Sequence, residues 1–179
     1  MIIIPGFLIA LLTFPGIIVH EAAHMLFCRL RGVRVLEVCF FRVGNPAGYV
    51  VHEHTQDFTT TFFICVGPFI VNTLFCLFLC LPAFIPYKVF NRNEDLLVLF
   101  QLWLGVSIGM HAFPSMGDGR NLWEHAKLAA KQKNTLAWIS FPIVGFIYLA
   151  NLLAFFWFDA IYGIAIGVGL PMLVLEWIQ

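Results

Sequence analysis

The sequence predicts an all-α polytopic membrane protein of about five transmembrane helices, with a small β-hairpin between the first and second. Of its 179 residues, 61% are hydrophobic and 11% are charged, and the mean hydropathy of +0.90 lies far above that of soluble domains. Several apolar runs are long enough to cross a hydrocarbon core of about 30 Å. The formal net charge is zero and no basic run is present, so we expect no nucleic-acid partner.

The first predicted span extends from Ile2 to about Leu26. Pro15 removes one backbone hydrogen bond, so a kink is expected there. Short loops rich in arginine remain in the cytosol, and arginines follow this span directly, at positions 29, 31 and 34. The sequence therefore predicts an N-terminus outside the cell and a cytosolic end for the first helix.

Near the cytosolic end of this span lies His20-Glu21-Ala22-Ala23-His24. Residues four apart share one face of a helix, so His20 and His24 are suited to hold one Zn²⁺ ion, with Glu21 as general base. The alternative is a polar cluster that satisfies its own hydrogen bonds between helices. Because such groups cost several kcal/mol in a bilayer unless paired or metal-bound, we expect a zinc site. It would lie about 10 Å below the cytosolic surface.

A β-hairpin is predicted at 33–54. Val33–Val43 and Tyr49–His54 are rich in β-branched and aromatic residues, and Gly44–Gly48 is a strong turn signal. Two roles are open: an edge that adds a substrate segment as a further strand, or a plain interfacial hairpin. His52 and His54 share a strand face and are either metal ligands or surface residues.

The second predicted span runs from Phe58 to about Phe84, capped by Asp57 or Thr55. Asn72 within it has two open roles: a hydrogen bond to another helix, or a contact to the substrate backbone in the active site. The five cysteines of the chain, without a CxxC pair, are expected to be small core residues.

The third predicted span runs from Leu96 to about Phe113, with Asn93 as its cap. Gly105 and Gly109 are spaced for close packing against a neighbouring helix. Catalytic zinc sites use three protein ligands, so a third must come from outside the first helix.

The candidates for the third ligand follow the third span. Asp118 returns to the depth of His24, and its alternative role is to cap the next helix. His111 is the competing ligand, or a donor to a developing oxyanion.

The remainder of the chain is predicted to be an interfacial helix at 121–133 and two further spans at 134–179. The two spans would join near Asp159, which would cap the last helix from the exterior. Eight lysines and arginines then lie inside and two outside, which favours a cytosolic C-terminus. No chemistry is expected in these two spans.

These motifs together resemble those of the site-2 protease family of intramembrane zinc metalloproteases. The resemblance covers Ile2 to Arg120, which it makes a catalytic three-helix core within a single membrane-embedded domain at 1–179. It implies His20, His24 and Asp118 as the metal ligands and Glu21 as the base. The sequence departs from the family pattern in the spacing of Asn72, in having His111 where the family has Asn, and around Asp118, which indicates a divergent branch.

The function expected from the sequence is that of an intramembrane zinc metalloprotease with one Zn²⁺ ion. It would hydrolyse peptide bonds of membrane-spanning or membrane-associated polypeptides near the cytosolic face, in the cell membrane of a prokaryote. Two alternatives are a metal-ion carrier and a non-catalytic membrane adaptor that keeps the zinc as a structural clip.

Overall fold

The structure is a computed structural model that describes residues 6–178, apart from the side chain of Phe155. It consists mainly of helices with one two-stranded sheet. The helices are α1 Gly6–Leu12, α2 Phe14–Leu30, α3 Phe58–Phe84, α4 Leu96–Met110, α5 Met116–Lys131, α6 Thr135–Leu153, α7 Phe158–Ile164 and α8 Leu170–Ile178. The strands are β1 Val35–Cys39 and β2 Tyr49–His52.

The first apolar run is broken at Thr13. Helices α1 and α2 meet there at an angle of 82°. Pro15 lies at the start of α2, where the missing N–H costs least, so the chain begins a new helix instead of continuing the first. The kink expected at Pro15 is confirmed as this break. The predicted start of the span at Ile2 lies outside the described residues.

The β-hairpin is confirmed but is shorter than predicted. Strands β1 and β2 are antiparallel, with Val38 opposite Val50 and an irregularity between Val35 and Glu37. His54 lies beyond the end of β2, so it does not share a strand face with His52 as expected.

Helices α2, α3 and α4 form the centre of the molecule, and glycines let them approach closely. Helix α4 runs antiparallel to α3, with Gly105 against Cys80 and Gly109 against Cys76. Helix α2 runs parallel to α4, and a side chain at Gly16 would collide with the backbone oxygen of Ser107. The predicted packing role of the α4 glycines is confirmed, and all five cysteines are free.

Carboxylates begin both α3 and α4. Asp57 is the N-cap of α3, and its side chain accepts a hydrogen bond from the Thr60 N–H at 2.9 Å. Asp95 is the N-cap of α4 and accepts from the Leu97 N–H at 3.0 Å. The expected cap at Asn93 is therefore wrong, because α4 begins at Leu96 and the residue directly before it, Asp95, is the cap.

Helices α5 and α6 form an antiparallel pair. Near its start, α5 contacts the end of α6, where a side chain at Gly119 would meet Asn151. One turn further on, Trp123 packs on Phe141 and Tyr148. Helix α5 begins at Met116, earlier than the boundary at 121 predicted from the amphipathic pattern.

The last apolar stretch does not fold back on itself. Helix α7 runs parallel to α3, because Tyr162 lies beside Phe69 and Thr73, whereas Gly167 lies beside Cys76 and Cys80 further along α3. Helix α6 also runs in the direction of α3, since α5 is antiparallel to both.

The chain is broken between α6 and α7 by a 3₁₀ turn at Ala154–Phe156 and a left-handed Trp157, with φ of 63°. Helices α6 and α7 therefore run in the same sense, not as the two opposed spans expected from length.

Three helical segments in residues 6–178 are long and apolar enough to cross a membrane. They are Phe58–Val89, Thr135–Leu153 and Phe158–Ile178. The bent pair of α1 and α2 adds a fourth if it is taken as one span, and α4 is apolar but shorter. By length and apolar composition, the predicted number of about five transmembrane helices is not confirmed.

Candidate metal centre

Three side chains predicted to bind metal lie together in the folded chain. His20, His24 and Asp118 each offer one ligand atom, and these atoms lie within 4.8 Å of one another. Among the residues that the structure describes, no other group of three or more His, Cys, Asp or Glu side chains meets this condition. The three side chains come from two helices, α2 and α5, at positions about a hundred residues apart.

Helix α2 positions both histidines and the neighbouring carboxylate. The rings of His20 and His24 lie on one face with centroids 4.9 Å apart. His20, Glu21 and His24 are 7%, 8% and 6% exposed, so all three are buried within an apolar protein. Buried polar side chains require a partner, and a shared metal ion would supply one to both histidines.

The backbone of His111 fixes the orientation of His20. The Nδ1 atom of His20 lies 2.7 Å from the His111 carbonyl oxygen. Because a carbonyl oxygen only accepts, Nδ1 must carry the proton and the lone pair is left on Nε2. This is the tautomer in which the outer ring nitrogen can ligate a metal.

Asn72 binds backbone atoms and supports the same carbonyl. It is fully buried, and its Nδ2 donates to the oxygens of His111 at 2.9 Å, Ile108 at 3.1 Å and Gly16 at 3.2 Å. Of the two roles that the sequence left open for Asn72, the structure shows the first, hydrogen bonds to other helices. Asn72 ties α3 to α2 and α4, and through His111 it positions His20.

The side chain of His111 is not part of the ligand cluster. Its Nε2 lies 2.8 Å from Thr13 Oγ1, at the break between α1 and α2. The Thr13 hydroxyl also lies 2.7 Å from the Ile9 carbonyl, to which it donates. The competing role of His111 as a ligand is not supported, because its ring lies outside the group formed by the three candidate ligands. Since His111 lines the cavity beside Glu21, its role as an oxyanion donor stays a prediction.

Asp118 belongs to both the ligand cluster and the start of α5. Ser115 is the N-cap, and its N–H and hydroxyl donate to Asp118 Oδ2 at 3.2 and 2.6 Å. The Asp118 N–H donates in return to Ser115 Oγ at 3.2 Å. The alternative role considered for Asp118, that of N-cap, is therefore wrong, because Ser115 is the cap and Asp118 is the third residue of the helix. The role of Asp118 as a metal ligand stays a prediction.

Ser115 was missed by sequence reasoning. The spacing Ser115-Met116-Gly117-Asp118 matches the capping-box pattern, so the sequence did contain a signal for it. Burial alone raises the pKa of the Asp118 carboxyl, but hydrogen bonds from His24 and Ser115 bring that pKa below its ordinary value. Asp118 is therefore a carboxylate at neutral pH, as a metal ligand must be.

The spacing of one donor pair, His24 and Asp118, fits a tetrahedral zinc ion, within a group whose three donor atoms lie within 4.8 Å of one another. His24 Nε2 lies 3.4 Å from Asp118 Oδ2. Two ligands bound to zinc at about 2.0–2.1 Å in tetrahedral geometry are about 3.3 Å apart. Two imidazoles and one carboxylate form an open, three-ligand set of the catalytic type.

The turn of the β-hairpin covers Glu21. A side-chain carbon at Gly48 would lie 2.8 Å from Glu21 Cγ and 3.0 Å from Ile17 Cγ2. On one side of the turn is a cavity of about 380 Å³ that reaches His20 and Glu21. A second cavity at the turn, of about 190 Å³, is lined by all four residues of the site, His20, Glu21, His24 and Asp118, and also by His52.

His52 and His54 lie outside the ligand cluster. His52 lines the smaller cavity, and its Nδ1 lies 2.8 Å from the backbone oxygen of Glu53. The exposed ring of His54 packs on His125 of α5, with centroids 5.5 Å apart. Burial and the nearby His54 lower the pKa of His125. Neither hairpin histidine contributes to the metal site.

The C-terminal helices contribute two residues to the larger cavity, although no chemistry was expected in them. Asn151 of α6 and Asp159 of α7 line it together with Glu21. The expected role of Asp159 as the cap of the last helix is wrong, because α7 begins at Phe158 with Trp157 as its N-cap, and Asp159 is the second residue of the helix. An ionisable group in a bilayer-length apolar segment was the available signal.

The chain was compared with protein-family models, with curated proteins and with solved structures, and no match was found among them.

Proposed function

We propose that the protein is a membrane-embedded zinc metallopeptidase that hydrolyses peptide bonds of membrane-spanning or membrane-associated polypeptides. The observation that carries this proposal is the group of His20, His24 and Asp118 beside Glu21, buried in an apolar protein. All four side chains line a cavity of about 190 Å³, and His20 and Glu21 also line one of about 380 Å³. A purely structural metal clip would not require a carboxylate at its edge facing a cavity of this size.

The residues of the site divide between holding the metal and moving a proton. His20, His24 and Asp118 would hold Zn²⁺, which when bound polarises the substrate carbonyl and makes water acidic near neutral pH. Glu21 follows His20 directly and lines the larger cavity, where it accepts a proton from water and later donates it to the leaving amine. The His111 carbonyl holds His20 in the ligating tautomer.

The substrate must enter the site in an extended form. A peptide carbonyl within a helix is hydrogen-bonded and shielded, so a helical segment has to unwind before it can react. The hairpin turn at 45–48 and the α2 residues Ile17 and Glu21 line the larger cavity together, and an unwound backbone would enter this cavity. This geometry favours membrane helices with weak segments or peptides bound at the interface.

We infer four passages across the membrane instead of five, because α6 and the segment Phe158–Ile178 run in the same sense, so only one of these two segments can cross. Helices α2 and α4 run one way, and α3 runs the other. The bent path from α6 through α8 runs with α3, which brings Ile178 to the same side as Lys88 and Arg92. Most basic residues lie on the opposite side, so that side would be cytosolic and would hold α5. The expected cytosolic C-terminus is replaced in this proposal by an exterior one.

The pattern also supports a distant relationship to the site-2 protease family. The first long helix supplies two histidines and a glutamate, and an Asp-Gly pair after α4 supplies the third ligand group. Asn72 and His111, the positions at which the sequence departs from the family, are the ones whose contacts here are to backbone or to Thr13.

The experiment that tests the function is the Glu21→Gln substitution in purified, zinc-loaded protein. Zinc content should be unchanged, because Glu21 is not one of the three ligands. Cleavage of a quenched membrane-peptide reporter should fall by at least about a hundredfold, since the general base is lost. Cleavage that persists would exclude Glu21 as the base.

The alternative functions are distinguished in the same preparation. Zinc uptake into proteoliposomes by the wild type, without cleavage of any reporter, would replace the peptidase by a metal carrier. Zinc binding without cleavage or uptake would leave a structural clip.

A further inference from the structure

The cavity beside Glu21 is lined in part by helices outside the three-helix core. Its volume is about 380 Å³, and it is bounded by the end of α4, the hairpin turn, and α6 and α7. Two polar side chains of the last two helices, Asn151 and Asp159, line it. A substrate that places its scissile bond at Glu21 therefore has neighbouring groups within reach of these side chains.

Packing on α4 and α3 fixes the place of Asp159. Its neighbour Phe158 packs on Phe113, and Tyr162 one turn later also packs on Phe113, with centroids 5.4 and 4.8 Å apart. The Tyr162 hydroxyl lies 2.8 Å from Thr73 Oγ1. The first turn of α7 is therefore held at both ends, and Asp159 cannot leave the cavity without breaking these contacts.

Asp159 has no hydrogen-bond or ion-pair partner among residues 6–178. The lining of the cavity contains no lysine or arginine, and its other charged or titratable members are Glu21, His20 and His111. A carboxylate in such an apolar segment is costly unless something pairs with it, which marks it as a functional residue. Its position in the first turn of α7 provides a helix dipole but no counter-charge.

Asn151 offers a second acceptor beside the carboxylate. Its amide nitrogen donates to the Ile147 carbonyl at 3.1 Å, which leaves the amide oxygen for a ligand. One carboxylate and one amide oxygen, lining a cavity without lysine or arginine side chains, form a site that suits a hydrogen-bond donor with positive charge.

We propose that Asp159 determines substrate specificity by accepting the cationic side chain of a lysine or arginine close to the scissile bond. This rests on the peptidase function proposed above. Asp159 lies on α7, whereas the three proposed metal ligands lie on α2 and α5. It would therefore select the substrate without taking part in the reaction.

The test uses the full-length, zinc-loaded protein in detergent and a set of quenched peptides blocked at both ends. The peptides differ only in one residue, Lys, norleucine or Glu, which is moved through successive positions around the cleavage site. Blocking excludes recognition of a free amino terminus. The variants are Asp159→Asn, Asp159→Lys and, as a control for net charge, Glu176→Gln, which removes an exposed carboxylate of α8.

The wild type should cleave the Lys peptide faster than its norleucine analogue by roughly tenfold in kcat/KM at one position, equivalent to about 1.4 kcal/mol. This ratio should approach one in Asp159→Asn, and Asp159→Lys should favour the Glu peptide. Zinc content should match the wild type in both variants, and Glu176→Gln should keep the wild-type ratio.

The experiment distinguishes failure of the proposed role of Asp159 from failure of the proposed peptidase function. Cleavage by the wild type without preference for Lys, or a preference that survives in Asp159→Asn, would overturn the role of Asp159 and leave the peptidase intact. Absence of cleavage of every peptide by zinc-loaded wild type would overturn the proposed function, and this inference with it.

Discussion

The Nδ1 atom of His20 lies 2.7 Å from the backbone oxygen of His111, ninety-one residues further along the chain. The same oxygen accepts a hydrogen bond from Asn72 at 2.9 Å. One carbonyl at the end of α4 thus receives donors from α2 and α3. It joins the three central helices at the point where the first histidine must be oriented.

The first prediction concerns this shared carbonyl. Asn72→Ala removes one of its two donors and three hydrogen bonds in all, so His20 is held less firmly. We expect zinc affinity to fall by roughly 10–100-fold, the usual range when a supporting hydrogen bond is removed, although all three ligands remain. Competition with a chromophoric chelator measures it. Asn121→Ala, at an exposed position of α5, is the control, and an equal loss there would contradict the prediction.

The second prediction concerns metal stoichiometry. The wild type should bind about one zinc ion per chain, and His24→Ala or Asp118→Ala should reduce this to a small fraction, because two ligands rarely retain zinc. Elemental analysis of the detergent-purified protein provides the measurement. His125→Ala removes a histidine of the same chain outside the cluster and should keep the full content. Retention of zinc by Asp118→Ala would exclude Asp118 as the third ligand.

The third prediction concerns the hairpin turn over Glu21. Gly48→Ala places a carbon about 2.8 Å from Glu21 Cγ, so either the turn or the glutamate must shift. A displacement on the order of 1 Å can cost about a hundredfold in rate, so we expect a large loss of peptide cleavage with normal zinc content.

The matched control for Gly48 lies in the same turn. A carbon at Gly44 would lie 3.7 Å from its nearest neighbour, the Arg42 side chain, which is ordinary contact. Gly44→Ala should therefore cleave like the wild type. Equal losses in the two variants would mean that general rigidity of the hairpin, not its contact with Glu21, controls activity.

The fourth prediction concerns the pH dependence of the cap of α3. Hydrogen bonds from the Thr60 side chain and backbone lower the pKa of Asp57, and the nearby Arg31 at 3.5 Å acts in the same direction. Because the folded-state pKa is lowered, the stabilisation is present above the unfolded pKa of about 3.9 and is lost as pH falls through the folded value.

Asp57→Ala should therefore cost about 1 kcal/mol near neutral pH, the usual effect of losing a cap, and progressively less in acid. Thermal unfolding in detergent across this pH range measures the difference. Thr55→Ala, which leaves the cap in place, should change little. A difference that is independent of pH would show that the charge of Asp57 does not contribute.

Much of the site could be predicted from local sequence. The spacing of His20 and His24 places them on one helix face wherever that helix lies, and Pro15 marks the break before it. The partner of these histidines was harder to identify, because Asp118 and His111 were both available. Only tertiary packing decides that His111 contributes its carbonyl to the site while its ring contacts Thr13.

The arrangement of the last 44 residues could not be predicted from their apolar composition. Length allowed two opposed spans, but direction depends on which faces pack together. Tyr162 against Phe69 and Gly167 against Cys76 align α7 with α3. The consequence is local as well as global, since this direction brings Asp159 to the cavity instead of the exterior.

Gly16 shows how a residue that is not itself a proposed ligand can set the position of one. Gly16 lies directly against the Ser107 backbone. Gly16 is four residues before His20, and Ser107 is four residues before His111. Sliding α2 past α4 by a single residue, about 1.5 Å, would separate His20 from its carbonyl partner. The absence of a side chain at Gly16 thus sets the distance between α2 and α4. Any larger residue there would move His20 relative to the His111 carbonyl, although the three proposed ligands would be unchanged.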